Sequence, residues 1–195
     1  MLNDCYKNNL EKYDWFILCD MDEFINLKFY NNIKIYLNQI KFNNCKVIYF
    51  NRVTHTDNGQ IFYNNKTLYE RFPKTVNNIL SVKPILRGHI YNLIINNNHL
   101  INWNIESCYG FGQKRKKHFD FKYYYFDHFY FKSTEEFIQK VTRGDVYYNN
   151  TKELQMSKVD FYFESNNITY EKIIFIENQT KLNLSIYKQK LLNKK

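Results

Sequence analysis

The sequence predicts an α/β fold, in which a mixed sheet carries flanking helices and a helical C-terminal tail follows. Short apolar runs of strand length alternate with segments of helical periodicity along the first half of the chain. In the second half, alternating aromatic and polar residues indicate strands of more antiparallel character. At 195 residues the chain suits one domain, so we expect residues 1–150 to contain the sheet and residues 151–195 to extend the same domain with helices.

The stretch formed by residues 13–24 is the centre of the predicted fold, because an apolar run ends there in three acids. Residues 15–19 are all apolar, which is typical of an internal strand buried on both faces in a parallel sheet. Ligands gather at the carboxyl ends of such strands, where Asp20 and Asp22 follow. Since residues two apart point to the same side, we expect these two carboxylates to converge while Met21 points into the core.

The remaining elements are predicted from periodicity and from residues that cap helices or form turns. Helices are predicted over residues 2–12, 31–40, 133–144, 151–164 and 182–192. Strands are predicted over residues 47–50, 67–72, 90–95 and 119–131. The clearest helix start is a capping box from Ser133 to Glu136, either Asn31 or Asn32 caps the second helix, and Asp57-Asn58-Gly59 predicts a turn.

The composition indicates a folded chain that does not bind nucleic acid. Hydrophobic residues make up 44% of the chain and aromatic residues 19%, which is enough for a packed core. The net charge of +9 comes from Lys residues scattered among many Asn residues. The one dense basic run, at residues 114–118, is predicted to be a solvated loop rather than an anion-binding patch.

The cysteines and the hydropathy predict the compartment. The four cysteines are far apart and form no Cys-x-x-Cys pair, which argues against a zinc ribbon or a redox motif and predicts reduced thiols. They are Cys5, Cys19, Cys45 and Cys108. No apolar run approaches the ~18 residues typical of a membrane span. We therefore expect a cytoplasmic protein, and the basic run adds peripheral contact with the inner face of the membrane as a second option.

Asp20 and Asp22 form an Asp-x-Asp pair that suits a hard divalent cation. Magnesium and manganese usually take one or two protein carboxylates plus phosphate oxygens of a substrate, so a metal that bridges to a diphosphate fits this pair. Taken alone, the pair also fits a solvated acidic turn after a strand. His128, near the end of the strand predicted over residues 119–131, fits either a metal ligand or a core histidine among aromatic residues.

Three groups of segments, taken together, resemble the GT-A glycosyltransferases of the family 2-like and family 92 kind. The first is Trp15-Phe16-Ile17-Leu18-Cys19-Asp20-Met21-Asp22-Glu23-Phe24. The second is Glu70-Arg71-Phe72 followed by Lys83-Pro84-Ile85-Leu86. The third is Asp127-His128-Phe129, Lys132-Ser133, Glu135-Glu136-Phe137 and Arg143-Gly144. Their order and spacing agree with the family, so the resemblance covers residues 2–145 and is far more specific than any single motif.

The resemblance implies a metal-dependent transfer of a sugar from a nucleotide-sugar donor to a glycan or a lipid-linked acceptor. It implies that Asp20 and Asp22 hold Mn²⁺ or Mg²⁺ on the donor diphosphate, with His128 as the third ligand. Lys83 and Arg71 are candidates, beside Asp20, for contact with the donor phosphates. For both, a surface ion pair is the commoner use of such a residue.

An inverting transfer also needs a carboxylate that takes the proton from the acceptor hydroxyl. The candidates are Asp57 and Glu70, although a turn residue and the partner of a neighbouring arginine are equally ordinary roles for them. His99 lies near a histidine of the family and is a further candidate. For Glu23, a helix-start or hydrogen-bonding role fits as well as a catalytic one.

The family normally places a βαβαβ half, which binds the nucleotide base, before the Asp-x-Asp strand, and this sequence starts one helix ahead of that motif. We therefore expect a truncated GT-A-like, Rossmann-like domain, and two explanations stay open: the sequence is a truncated reading, or a split gene supplies the missing half as a separate chain. By itself the chain is expected to bind metal weakly and to turn over no donor. Two alternatives stay open. One is a haloacid-dehalogenase-like phosphatase, for which Glu23-Phe24 fits less well, and the other is a non-catalytic remnant that binds carbohydrate or a partner.

Overall fold

A computed structural model describes residues 2–39, 43–76, 82–96, 107–108, 124–143 and 152–193. The chain divides into two compact units. Unit 1 comprises Met1–Val53 and Asn77–His128, and unit 2 comprises Thr54–Val76 and Phe129–Lys195. The predicted division at residue 150 falls inside unit 2 and stays a prediction.

The described helices and strands are numbered in chain order. The strands are β1 (Trp15–Ile17), β2 (Glu23–Leu27), β3 (Val47–His55), β4 (Thr75–Val76), β5 (Val82–Arg87), β6 (Ser107–Cys108) and β7 (Tyr124–His128). The helices are α1 (Leu2–Lys7), α2 (Ile33–Leu37), α3 (Leu68–Arg71), α4 (Thr134–Arg143), α5 (Lys152–Ser165), α6 (Tyr170–Thr180) and α7 (Ser185–Leu192). This mixture of elements confirms the α/β class. Residues 97–106 and 109–123, which include His99 and the basic run, lie outside the described residues.

The sheet of unit 1 has the strand order β1-β5-β3-β7-β2. The pairs β1–β5, β3–β5 and β2–β7 are antiparallel, whereas β3 and β6 are parallel, so the sheet is mixed as predicted. β1 and β2 stand at opposite ends of this order, and residues 18–22 connect them. The acidic segment therefore runs from one edge of the described sheet to the other.

Two helices cover the two faces of this sheet because β3 alternates its side chains. Ile48 and Phe50 point to the face on which Tyr36 of α2 packs. Val47 points to the opposite face and packs with Tyr6 of α1. Asn32 caps α2 by accepting a 2.8 Å hydrogen bond from the backbone N–H of Lys34, which confirms one of the two predicted caps.

The prediction for the stretch around the acids is wrong in two respects. β1 ends at Ile17 and is an edge strand in antiparallel pairing, not an internal parallel strand over residues 15–19. Met21 is 100% exposed instead of buried. The strand order places β1 at the edge of the described sheet. Met21 is exposed because a turn follows the strand, in which the backbone N–H of Glu23 donates to the carbonyl of Asp20 at 3.1 Å. The alternation of a strand therefore does not continue through Met21.

Two predicted strands and one property of the cysteines also differ from the structure. Residues 67–72 contain helix α3, because Thr67 and Glu70 form a capping box that outweighs the strand preference of the aromatic residues nearby. Residues 90–95 do not form a continuous strand, since Tyr91 and Asn92 lie in a turn and Ile95 makes a β-bridge. Cys5 and Cys19 have free thiols as expected. Cys45 is disulfide-bonded, so the expectation of reduced thiols is wrong for it, because spacing in the sequence does not limit distance in the fold.

Unit 2 is built around the helices α4 to α7. The predicted capping box starts α4, since the Ser133 hydroxyl donates to Glu136 at 2.7 Å and accepts from the Glu136 N–H at 3.3 Å. The core is aromatic, with the rings of Phe137 and Tyr162 stacked 4.3 Å apart. The helices predicted over residues 151–164 and 182–192 are confirmed as α5 and α7, whereas α6 was not predicted. None of the described helices is long and apolar enough to cross a membrane.

Glu136 makes the stability of unit 2 depend on pH. Burial raises the pKa of this carboxyl, but hydrogen bonds from Arg71 and Ser133 lower the pKa by a larger amount. The net pKa of Glu136 therefore lies below the ordinary value. Such a group stabilises the fold above its unfolded-state pKa of about 4.3 and loses this contribution as the pH falls through the lower folded-state pKa. We therefore expect the free energy of unfolding of Glu136→Gln to vary less than that of wild type between about pH 5 and pH 2.

Urea unfolding at stepped pH measures this dependence. Glu171→Gln is the matched control, because Glu171 is exposed at the start of α6. The control should keep the pH slope of wild type. If the free energy of unfolding of Glu136→Gln varied with pH as steeply as that of wild type, Glu136 would not be the source of the pH dependence.

Gly88 stands where no side chain fits. A Cβ at this position would lie 2.0 Å from the carbonyl oxygen of Tyr13 and 2.8 Å from that of Leu10. Gly88→Ala is therefore expected to lower the free energy of unfolding by at least about 2 kcal/mol. Gly59→Ala should cost only about 1 kcal/mol, since Gly59 has open space and merely a positive φ of 79°. Urea unfolding of both variants tests the difference, and an equal or smaller loss in Gly88→Ala would refute the crowding.

Candidate metal and phosphate site

The ends of several strands meet the acidic segment in unit 1. His128 is the last residue of β7, and it pairs in the register with Glu23, the first residue of β2. Lys83 lies at the start of β5, opposite Phe50 near the end of the unit 1 part of β3. Because the segment 18–22 joins the two edge strands, its acids come close to side chains from strands that are distant in the sequence.

Asp22 and His128 are brought together by this arrangement. The Oδ1 atom of Asp22 lies 3.7 Å from the Nε2 atom of His128. The histidine side chain is 5% exposed and the aspartate side chain 17%, so the pair lies just below the surface. At 3.7 Å the two atoms are too far apart for a hydrogen bond.

Lys83 binds Asp20 of the acidic segment and Glu23, the first residue of β2. Its Nζ atom lies 2.8 Å from Oδ2 of Asp20 and 2.8 Å from Oε2 of Glu23. The side chains of Lys83 and Glu23 are fully buried, whereas that of Asp20 is 47% exposed. Lys83 was predicted to contact donor phosphate, and in the structure its ammonium group pairs with these carboxylates.

Arg52 is a member of the site that the sequence analysis missed. Its Nη1 atom lies 3.5 Å from Oε1 of Glu23. Burial lowers the pKa of the guanidinium, and the charges of Glu23, Asp20 and Asp22 oppose this effect. The signal that could have identified it is a charged residue shortly after the apolar start of β3, in the middle of the strand.

The thiol of Cys19 has a raised pKa because of its surroundings in the same segment. Although the residue is exposed overall, protein atoms around the thiol desolvate it and, with the charges of Glu23 and Asp20, raise its pKa to about 11. The thiol therefore stays protonated at neutral pH.

The separation of Asp22 and His128 is close to that of two ligands of one small cation. Ligands about 2.1 Å from a six-coordinate ion lie roughly 3.0 Å apart when adjacent and roughly 4.2 Å apart when opposite. The observed 3.7 Å matches neither value and lies within about 0.7 Å of both, so a small shift of either side chain would bring the pair to a ligand spacing. Oxygen and imidazole nitrogen both suit manganese.

The charges of the cluster also favour a cation. Three carboxylates face two cations, so the side chains of Asp20, Asp22, Glu23, Lys83 and Arg52 carry a formal net charge of −1. In the part of the chain that the structure describes, no three His, Cys, Asp or Glu side chains form a ready metal cage. Asp22 and His128 could hold Mn²⁺ or Mg²⁺ together with phosphate oxygens and water. Asp20, which was predicted to hold the cation together with Asp22, is instead paired with Lys83.

The other predicted site residues lie in unit 2 and have structural partners there. Asp57 is 1% exposed, and its carboxylate accepts hydrogen bonds from Lys172 and Tyr162. Glu70 belongs to the capping box of α3, where hydrogen bonds from Thr67 lower its pKa below the ordinary value. Arg71 pairs with Glu136 in the salt bridge described above.

Comparison with protein-family models, with curated proteins and with solved structures found no match.

Proposed function

We propose that the protein is a metal-dependent glycosyltransferase, which moves a sugar from a nucleotide-sugar donor to a glycan or a lipid-linked acceptor. One observation carries the proposal. Asp22, from the acidic segment, lies 3.7 Å from His128, from the end of a distant strand. This is the juxtaposition that the resemblance implies for a shared cation, and it joins the first and the last of the three groups of segments.

The proposed roles follow from the partners of each residue. Asp22 and His128 would hold Mn²⁺ or Mg²⁺ on the donor diphosphate. When bound, the cation supplies Lewis acidity that neutralises the charge growing on the leaving nucleoside diphosphate. Lys83 fixes Asp20 at the rim, and both stay candidates for contact with the donor, as does Arg71. Asp57 and Glu70 remain candidate bases, but the proposal depends on neither, because each carboxylate already has structural partners.

Binding of nucleotide in the presence of metal is the primary test, because it needs no acceptor. We expect calorimetry to show that UDP or GDP binds in millimolar Mn²⁺ and not in excess chelator. Asp22→Asn should abolish this binding. Asp14→Asn, an exposed acid of the same unit, should keep it. Nucleotide binding that is indifferent to both metal and Asp22 would contradict the proposal.

Turnover separates the proposed function from its two alternatives. Release of sugar from UDP- or GDP-sugars in Mn²⁺, lost in Asp22→Asn, would support a glycosyltransferase. Hydrolysis of p-nitrophenyl phosphate in Mg²⁺, without action on the nucleotide-sugars, would identify the phosphatase instead. Metal-independent binding of carbohydrate with neither activity would identify the non-catalytic protein.

A further inference from the structure

Glu23 is, with Lys83, one of the two fully enclosed charges among the described residues of the candidate site. Its side chain is fully buried. One carboxylate oxygen, Oε2, lies 2.8 Å from Nζ of Lys83 and accepts a 3.1 Å hydrogen bond from the backbone N–H of Asp20. A buried carboxylate is costly unless cations and donors surround it, so these contacts define where the side chain can lie.

The second oxygen of Glu23 depends on Arg52. Among the described residues, Oε1 has no hydrogen-bond partner, and Nη1 of Arg52 lies 3.5 Å from it. β7 lies between β2 and β3 in the sheet. Strands are about 4.8 Å apart, so the two side chains together bridge roughly 10 Å over the strand that ends in His128. Nε2 of His128 lies 4.0 Å from the same oxygen.

Glu23 in turn fixes the turn that carries the acids. The Asp20 N–H donates to the Glu23 carboxylate, and the Glu23 N–H donates to the Asp20 carbonyl. Asp22 lies within this turn, and Glu23 is also the register partner of His128. A change in the position of Glu23 would therefore move Asp22 relative to His128.

We propose that Arg52 is a positioning residue of the metal site. Its guanidinium orients the buried carboxylate of Glu23, and Glu23 holds the turn that presents Asp22 to His128. This inference rests on the proposed function, because it assigns Arg52 and Glu23 to the same cation site. Neither residue contacts the cation in this account, so both act through the geometry of the two ligands.

The affinity for Mn²⁺, measured by electron paramagnetic resonance on protein that circular dichroism shows to be folded, tests the proposal. Loss of an outer-shell partner typically lowers metal affinity by about 10- to 100-fold. We expect Arg52→Met and Glu23→Gln to raise the Kd for Mn²⁺ by this factor. Arg52→Lys keeps the charge and should restore part of the affinity. Lys188→Met is the control, since it breaks the ion pair between Lys188 and Glu177 in unit 2, which has no proposed role in the site, and it should leave the Kd unchanged.

The outcomes distinguish this inference from the proposed function. A wild-type Kd in folded Arg52→Met and Glu23→Gln, with binding still lost in Asp22→Asn, would overturn the positioning role alone. A Kd that is also unchanged in Asp22→Asn would overturn both. If Arg52→Met does not fold, Arg52→Lys decides: a Kd above the wild-type value in that folded variant would support the positioning role of the guanidinium, and a wild-type Kd would overturn it.

Discussion

Replacing Lys172 by Met is expected to destabilise unit 2 by about 3–5 kcal/mol, the cost of removing one partner from a buried ion pair. Lys172 and Asp57 are each 1% exposed, and the lysine Nζ lies 2.5 Å from the aspartate Oδ2. The same oxygen accepts from the hydroxyl of Tyr162, whose pKa is raised by burial and by the aspartate charge. Without the lysine, a negative charge stays buried with neutral donors only.

Urea unfolding followed by circular dichroism at 222 nm measures this loss, because α4 to α7 all belong to unit 2. Lys74→Met, an exposed lysine of the same unit, should change stability by less than about 0.5 kcal/mol. The double variant Asp57→Asn/Lys172→Met should recover part of the loss, since it leaves no unpaired charge. A loss below about 1 kcal/mol in Lys172→Met would contradict a structural role for the pair. Asp57 would then be free of a structural role and would be the stronger candidate for the catalytic base.

The second large effect concerns the metal. Removing an outer-shell partner already costs about 10- to 100-fold in affinity, so we expect Asp22→Asn and His128→Gln each to lower the affinity for Mn²⁺ by at least about 100-fold. The reason is that each side chain supplies one of only two protein ligands in the proposed site. Titration by electron paramagnetic resonance gives the Kd directly and needs neither donor nor acceptor.

Two further variants separate a ligand from a nearby charge. Asp20→Asn should lower the affinity less than Asp22→Asn, because the carboxylate of Asp20 is paired with Lys83. Asp14→Asn should have no effect. Equal losses in Asp20→Asn and Asp22→Asn would favour the two-aspartate site that the sequence predicted. No loss in His128→Gln would remove the imidazole from the site.

The parts of the fold that local chemistry determines could be predicted from the sequence. The capping box at Ser133 and the cap at Asn32 each involve residues a few positions apart, and both are present. β1 and the residue after it could not be predicted in the same way. An apolar run of five residues fits an internal strand, but only the strand order places β1 at an edge, and only the turn after it exposes Met21.

In the candidate site, too, the contacts between distant segments could not be predicted from local sequence patterns. The closeness of Asp22 and His128 was implied by a resemblance that links distant segments, and periodicity alone could not have given it. The pairing of Lys83 with Asp20 and Glu23, and the contact of Arg52 with Glu23, depend on which strand ends meet. No local pattern in the sequence records these contacts. The capping role of Glu70 is different, because the spacing of Thr67 and Glu70 in the sequence is itself that of a capping box.

In the proposed site, one cation contacts Asp22 and His128 at the same time. Electron spin-echo envelope modulation of the Mn²⁺–UDP complex tests it directly, because coupling to an imidazole nitrogen is seen only when a histidine binds the metal. We expect nitrogen modulation in wild type and in His89→Asn, a variant of an exposed histidine, and its loss in His128→Gln. Phosphorus coupling from UDP should be present in wild type. A wild-type complex that holds Mn²⁺ and UDP without nitrogen modulation would contradict the shared site.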